Sequence, residues 1–259
     1  MRGIYAILTA FAMTAAPIRL QPPTGAPAIA HPQLVNIAWG DAPALGDVLP
    51  RLIADGYFAD LAQYGVGVPI YLGERRASPA CGASAPADAG PAVVSAFVLC
   101  EAATGELPPD WSSGRLIVNV LLPPSTRADL GGGTACYDSD GAGPPGLYNY
   151  HGNTANHVAG VAIPFTVVAT GCADAAGGGS FGSPGAHLTW ALTHEDVEAM
   201  TDPVPGQGWF DWALGGNGEA ADVCAGDGGP DSAYWSNAAA TCVRPGVGLP
   251  VPAGAAPGM

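Results

Sequence analysis

The string Thr193-His-Glu-Asp-Val-Glu198 brings three chemistry-bearing side chains together: His194, Glu195 and Glu198. On a helix, positions i and i+4 share a face, so His194 and Glu198 can ligate one cation while Glu195 beside them reaches a water on it. This is the HExxH zinc-hydrolase pattern with the second histidine replaced by glutamate, and zinc accepts carboxylate oxygen as well as imidazole nitrogen. A hydrolytic site needs a third protein ligand. Glu219 and Asp222, in Glu219-Ala-Ala-Asp222, both qualify; spacing favours Glu219, and the other acid would then orient His194. His151, in Tyr148-Asn-Tyr-His151-Gly152, reads as a further ligand, as a stabiliser of developing oxyanion charge, or as a histidine bonding a turn. Asp202, at i+8 from His194, reads as a turn residue within reach of a metal.

These residues need a frame. Ala186–Met200 has helical character and is stopped by Pro203 and Pro205, with a shorter helical stretch expected over Gly218–Cys224. Gln33–Trp39, Val66–Leu72, Val93–Leu99, Arg115–Leu122 and Val158–Ala169 are apolar, β-branched runs that read as buried strands, Pro164 marking a bulge or an edge. Asp47–Tyr64 repeats apolar residues at helical spacing around an interrupting Gly56. The expected fold is α/β (α+β), one zincin-like domain: a mixed sheet covered by helices, the HExxE helix carrying the site, and loops closed by disulfides.

The chain has 259 residues with 8 basic and 22 acidic side chains, for a net charge of -14, and every basic residue is Arg. Without a basic stripe, nucleic acid is excluded as a partner. Without lysine, Schiff-base chemistry, Ser-Lys dyads and the P-loop lysine are excluded too. Residues 1–16 have the layout of a secretory signal peptide, 17–32 read as a Pro-rich linker, 33–244 as the domain and 245–259 as a disordered tail. No later run approaches the roughly 20 apolar residues of a membrane span. In an exported chain the six cysteines imply up to three disulfides, expected as Cys81–Cys100, Cys136–Cys172 and Cys224–Cys242. A Gly178-Gly-Ser180-Phe-Gly182 string fits GxSxG but has no acid before the next histidine, and Asp138-Ser-Asp140-Gly141 lacks the rest of a calcium loop, so neither carries a function.

The stretch THEDVEAMTDP, then GWFD, GEAADVC and WSNAAATC, resembles the EXORDIUM-like, phosphate-induced protein family and its bacterial secreted relatives. Asn36-Ile-Ala-Trp39-Gly40, the Tyr57–Tyr64 segment and Tyr150-His151-Gly152 extend the resemblance, which covers about residues 33–243. It implies an exported, extracellular or wall-associated protein; the periplasm is the alternative location, and a monomer is expected. The expected function is a zinc metallopeptidase acting on a peptide or protein: Zn²⁺ on His194, Glu198 and Glu219 or Asp222, with Glu195 as catalytic base and His151 assisting. The alternative is a non-catalytic wall-associated binding or structural protein, whose aromatics Trp209, Phe210, Trp212, Tyr234 and Trp235 contact polysaccharide.

Overall fold

The structure, a computed structural model, describes residues 18–22, 28–129, 149–154, 162–171, 184–225 and 231–246. Residues 1–16, expected as a signal peptide, the expected Cys136–Cys172 pair, the Gly178–Gly182 and Asp138–Gly141 strings and nearly all of the expected tail lie outside the described residues.

Chain order is β1 (Gln33–Ala38), α1 (Val48–Ala54), β2 (Ile70–Arg76), β3 (Asp88–Ala89), α2 (Pro91–Ala103), β4 (Leu116–Leu122), β5 (Arg127–Ala128), β6 (Asn149–Asn153), β7 (Pro164–Ala169), α3 (Pro184–Thr201), β8 (Tyr234–Ser236) and β9 (Thr241–Val243). The main sheet is five-stranded and mixed, in the order β2-β1-β4-β7-β6. β2, β1, β4 and β7 run parallel, and β6 lies antiparallel on the edge beside β7. β4, Leu-Ile-Val-Asn-Val-Leu-Leu, is buried along its whole length, as a parallel strand covered on both faces must be. Its side chains divide between two cores. Ile117 and Leu121 pack with Leu192, Val197 and Met200 of α3, while Leu116, Val118 and Val120 pack with Val94, Phe97 and Val98 of α2.

The Val93–Leu99 run is not a strand but the middle of α2. An apolar run of that length fits either state, and two signals settle it: Pro91 occupies the first helical turn after Gly90, and Val94, Phe97, Val98 and Glu101 form one buried stripe. The strand expected at Val66–Leu72 starts later, at Ile70, because Pro69 has no N–H to give the ladder, and Val68 is exposed. Pro164 marks neither a bulge nor an edge; it is the first residue of an interior strand, where its missing N–H is tolerated. The helical stretch expected over Gly218–Cys224 is a turn followed by a 3-10 segment, Asp222–Cys224. The segment 17–32, expected as a linker, is tied to the fold where described: Leu20 is buried, Gln21 bridges Phe210, and the Ile29 N–H donates to the Met200 carbonyl.

Disulfides Cys81–Cys100 and Cys224–Cys242 are present as expected. The first ties a 3-10 turn to α2, and the second ties the Asp222–Cys224 turn to β9. Among the described residues no helix is long and apolar enough to cross a membrane. Both features are compatible with an extracellular protein.

Candidate metal centre

α3 carries the Thr193–Glu198 string in its second half, and all of its residues from Trp190 to Thr201 are buried. Its end is built with care. The Asp202 carboxylate accepts the N–H groups of Gly206, Gln207 and Gly208, folding the chain back under the last turn. Gly208 is required there, because a Cβ would lie 2.3 Å from both Asp202 Cα and the Thr201 carbonyl oxygen. Asp202 is thereby employed in closing the turn.

β6 supplies the opposite wall. His151, one reading of which placed it in a turn, lies in β6. Side chains two apart on a strand share a face, so Asn149, His151 and Asn153 all point toward α3. Asn149 Nδ2 donates to Glu195 Oε1, and Asn153 Nδ2 donates to the Pro203 carbonyl at 2.9 Å. Below the helix, Glu74, Asn36, Asn119, Thr166 and His151 stand in register across all five strands. Asn119 donates to Asn36 at 3.0 Å and accepts from Thr166 at 2.9 Å, so the middle of the row is bonded across three strands, with His151 next in register on β6. Gly152 leaves the space on the other face that the Phe165 ring fills.

Three donor atoms converge on the helix. His194 Nε2 lies 3.1 Å from Glu198 Oε1 and 3.3 Å from Asp222 Oδ1. Zinc bonds of about 2.0–2.1 Å in a tetrahedron separate ligand atoms by about 3.3 Å, so the set fits that ion in chemistry and in spacing. Asp222 is held by its own backbone, whose N–H donates to Glu198 Oε1 at 3.1 Å. Glu219 stands on the other side, 3.7 Å from His151 Nε2. His151 Nδ1 is 3.4 Å from both Glu195 Oε2 and Glu198 Oε2.

The hydrogen bonds fix which nitrogen of each imidazole faces the acids. Ser232 Oγ donates its one hydrogen to the Ala233 carbonyl at 3.0 Å, so it accepts from His194 Nδ1 at 3.3 Å. The Asp202 carbonyl can only accept, so His151 Nε2 donates to it at 3.2 Å. His194 Nε2 and His151 Nδ1 are left facing carboxylate oxygens, and each needs a proton or a cation there.

Charge tells the same story. Four carboxylates, Glu195, Glu198, Glu219 and Asp222, surround two imidazoles, and among the described residues the ion-pair partners of these acids are the histidines. Burial opposes charge on His194, but Glu198 and Asp222 outweigh it and hold the imidazole well above its ordinary value. For His151, burial is likewise outweighed by Glu219, then by Glu195 and Glu198. Burial would raise Glu198, yet His194 and His151 hold it well below the usual carboxylate range. Burial and the Glu198 charge push Glu195 up to about 6 and Glu219 up to about 10, and raise Asp222. Glu219 and Asp222, with side chains 13% and 27% exposed, form the side of the cluster open to solvent.

The structure thus places His194, Glu195, Glu198, Asp222, Glu219 and His151 in one cluster. Asn149 and Ser232 complete it and were not singled out from sequence. Asn149 had a signal, its position two residues before His151 on a strand; Ser232 had none. Compared with known proteins, the chain matches no family model, no curated protein and no solved structure.

Proposed function

We propose that the chain is a secreted zinc-dependent metallopeptidase with a zincin-like core, related to the EXORDIUM-like proteins. The observation that carries the reading is the convergence of His194 Nε2, Glu198 Oε1 and Asp222 Oδ1, with His194 Nδ1 committed to Ser232. These three residues would hold the zinc, which when bound acidifies a water and polarises a carbonyl. Glu195 is the general base: Asn149 fixes its Oε1, leaving Oε2 to take the proton of the attacking water and return it to the leaving amine. His151, pinned by the Asp202 carbonyl, offsets the negative charge that Glu195 and Glu198 place beside the reacting carbonyl. Solvent and substrate enter from the Glu219–Asp222 side. A carboxylate-rich ligand set acidifies water less than two histidines and one acid, so turnover should be slow.

The test is a pair of measurements on the mature, oxidised chain supplied with zinc. Glu195→Gln should keep the metal and lose cleavage of a peptide library; cleavage at the wild-type rate by that variant would overturn the reading. A second reading, a wall polysaccharide binder, is favoured by a different feature. A groove of about 690 Å³, lined by Arg19, Gln63, Trp209 and Asn237 among others, contains none of the cluster residues. Retention on insoluble wall polysaccharide, lost in Trp209→Ala with metal content unchanged, would support it.

A further inference from the structure

We propose a second divalent-cation site in the same cluster, formed by His151 Nδ1, Glu195 Oε2 and Glu198 Oε2, so that Glu198 gives one oxygen to each of two ions. The inference rests on the reading above only in the sharing of Glu198 and in the role of Glu195.

Glu198 is divided between two partners. Its Oε1 faces His194 and the Asp222 N–H, while its Oε2 faces His151 at 3.4 Å. Glu195 is divided in the same way: Oε1 receives the Asn149 amide, and Oε2, on a side chain only 4% exposed, accepts no hydrogen bond although His151 Nδ1 is 3.4 Å away. A buried carboxylate oxygen left unbonded in a site that excludes most water is costly, and a cation removes the cost. The imidazole is oriented for it, since its Nε2–H is spent on the Asp202 carbonyl and Nδ1 is the nitrogen turned to the two acids. Two oxygens and one nitrogen suit zinc, manganese or cobalt(II), and a carboxylate bridge holds such ions about 3.5–4 Å apart. With the second ion bound, Glu195 becomes a ligand and no longer accepts a proton. High cation concentration should therefore slow hydrolysis that low concentration supports.

The test uses the full mature chain, stripped of metal, titrated with Mn²⁺ and read by elemental mass spectrometry after gel filtration and by electron paramagnetic resonance. The expected result is about two Mn²⁺ per chain with a spin-coupled pair signal, falling to about one uncoupled ion in Glu195→Gln and in Asp222→Asn. Glu195→Gln preserves shape and the Asn149 bond. Two ions retained by Glu195→Gln, or a single ion lost only in Asp222→Asn, overturns the second site and leaves the first. A single ion lost only in Glu195→Gln supports the second site and overturns the first. No ion in the wild-type chain overturns both.

Discussion

Replacing Ser232 by alanine removes the acceptor that fixes the tautomer and ring orientation of His194. Ser232 is fully buried, its oxygen is 3.3 Å from His194 Nδ1, and its own N–H stays bonded to Thr193 Oγ1 at 2.9 Å, so the substitution removes the two hydroxyl bonds, to His194 and to the Ala233 carbonyl, and keeps the backbone bond. The orphaned Nδ1–H is buried with its ring, 5% exposed in the whole residue, and leaving such a donor unbonded costs about 1–3 kcal/mol. Loss of the outer partner of a metal-bound histidine lowers metal affinity about 10- to 100-fold, which corresponds to about 1.4–2.8 kcal/mol. Competition for Zn²⁺ against a chromophoric chelator should show that weakening for Ser232→Ala and far less of it for Ser236→Ala, whose oxygen serves Gln63 and Ala239 instead. Equal zinc affinity in wild type and Ser232→Ala, with both folded, would refute the assignment of Ser232 as the orienting partner.

Three further outcomes follow from the packing and the titrating groups. Gly208→Ala should cost about 3 kcal/mol or more in denaturant unfolding, because the new Cβ meets backbone atoms at 2.3 Å that have no room to move. Cys242→Ser opens the disulfide to Cys224, 18 residues away, and should lower stability by about 3 kcal/mol while loosening Asp222; an unchanged melting temperature would contradict this. Burial raises Glu101 above its ordinary value of 4.5 even against its bond from Ser78 N–H and the nearby Arg75. A raised acid contributes its stability below the unfolded value and loses it as pH rises toward the folded one. Glu101→Gln should therefore gain stability relative to wild type as pH climbs from 4.5, and parallel curves for the two chains would count against it.

The helix and its chemistry were legible because they are local. The four-residue spacing of His194 and Glu198 and the stop at Pro203 need no tertiary information, and α3 ends at Thr201 accordingly. β4 was legible for the same reason, as an apolar, β-branched run interrupted only by Asn119. Val93–Leu99 was misread because its exposed positions, Val93 and Ala96, are apolar like its buried ones, so no polar residue marks the helical period, and only Gly90-Pro91 carried the distinction. Spacing favoured Glu219 as the third ligand, whereas the fold turns Asp222 toward His194 and Glu219 toward His151. That choice depends on a 3-10 turn pinned by a disulfide to β9, a constraint with no local signature. Asn149 and Ser232 reach their partners across 46 and 38 residues, so only the sheet register and the chain's return to α3 reveal them.

The most direct test of the central claim is a crystal structure of the zinc-supplied chain with anomalous data on both sides of the zinc absorption edge. The account predicts a peak bounded by His194 Nε2, Glu198 Oε1 and Asp222 Oδ1. A fully occupied crystal with no peak there, or with zinc held only by other residues, would contradict it.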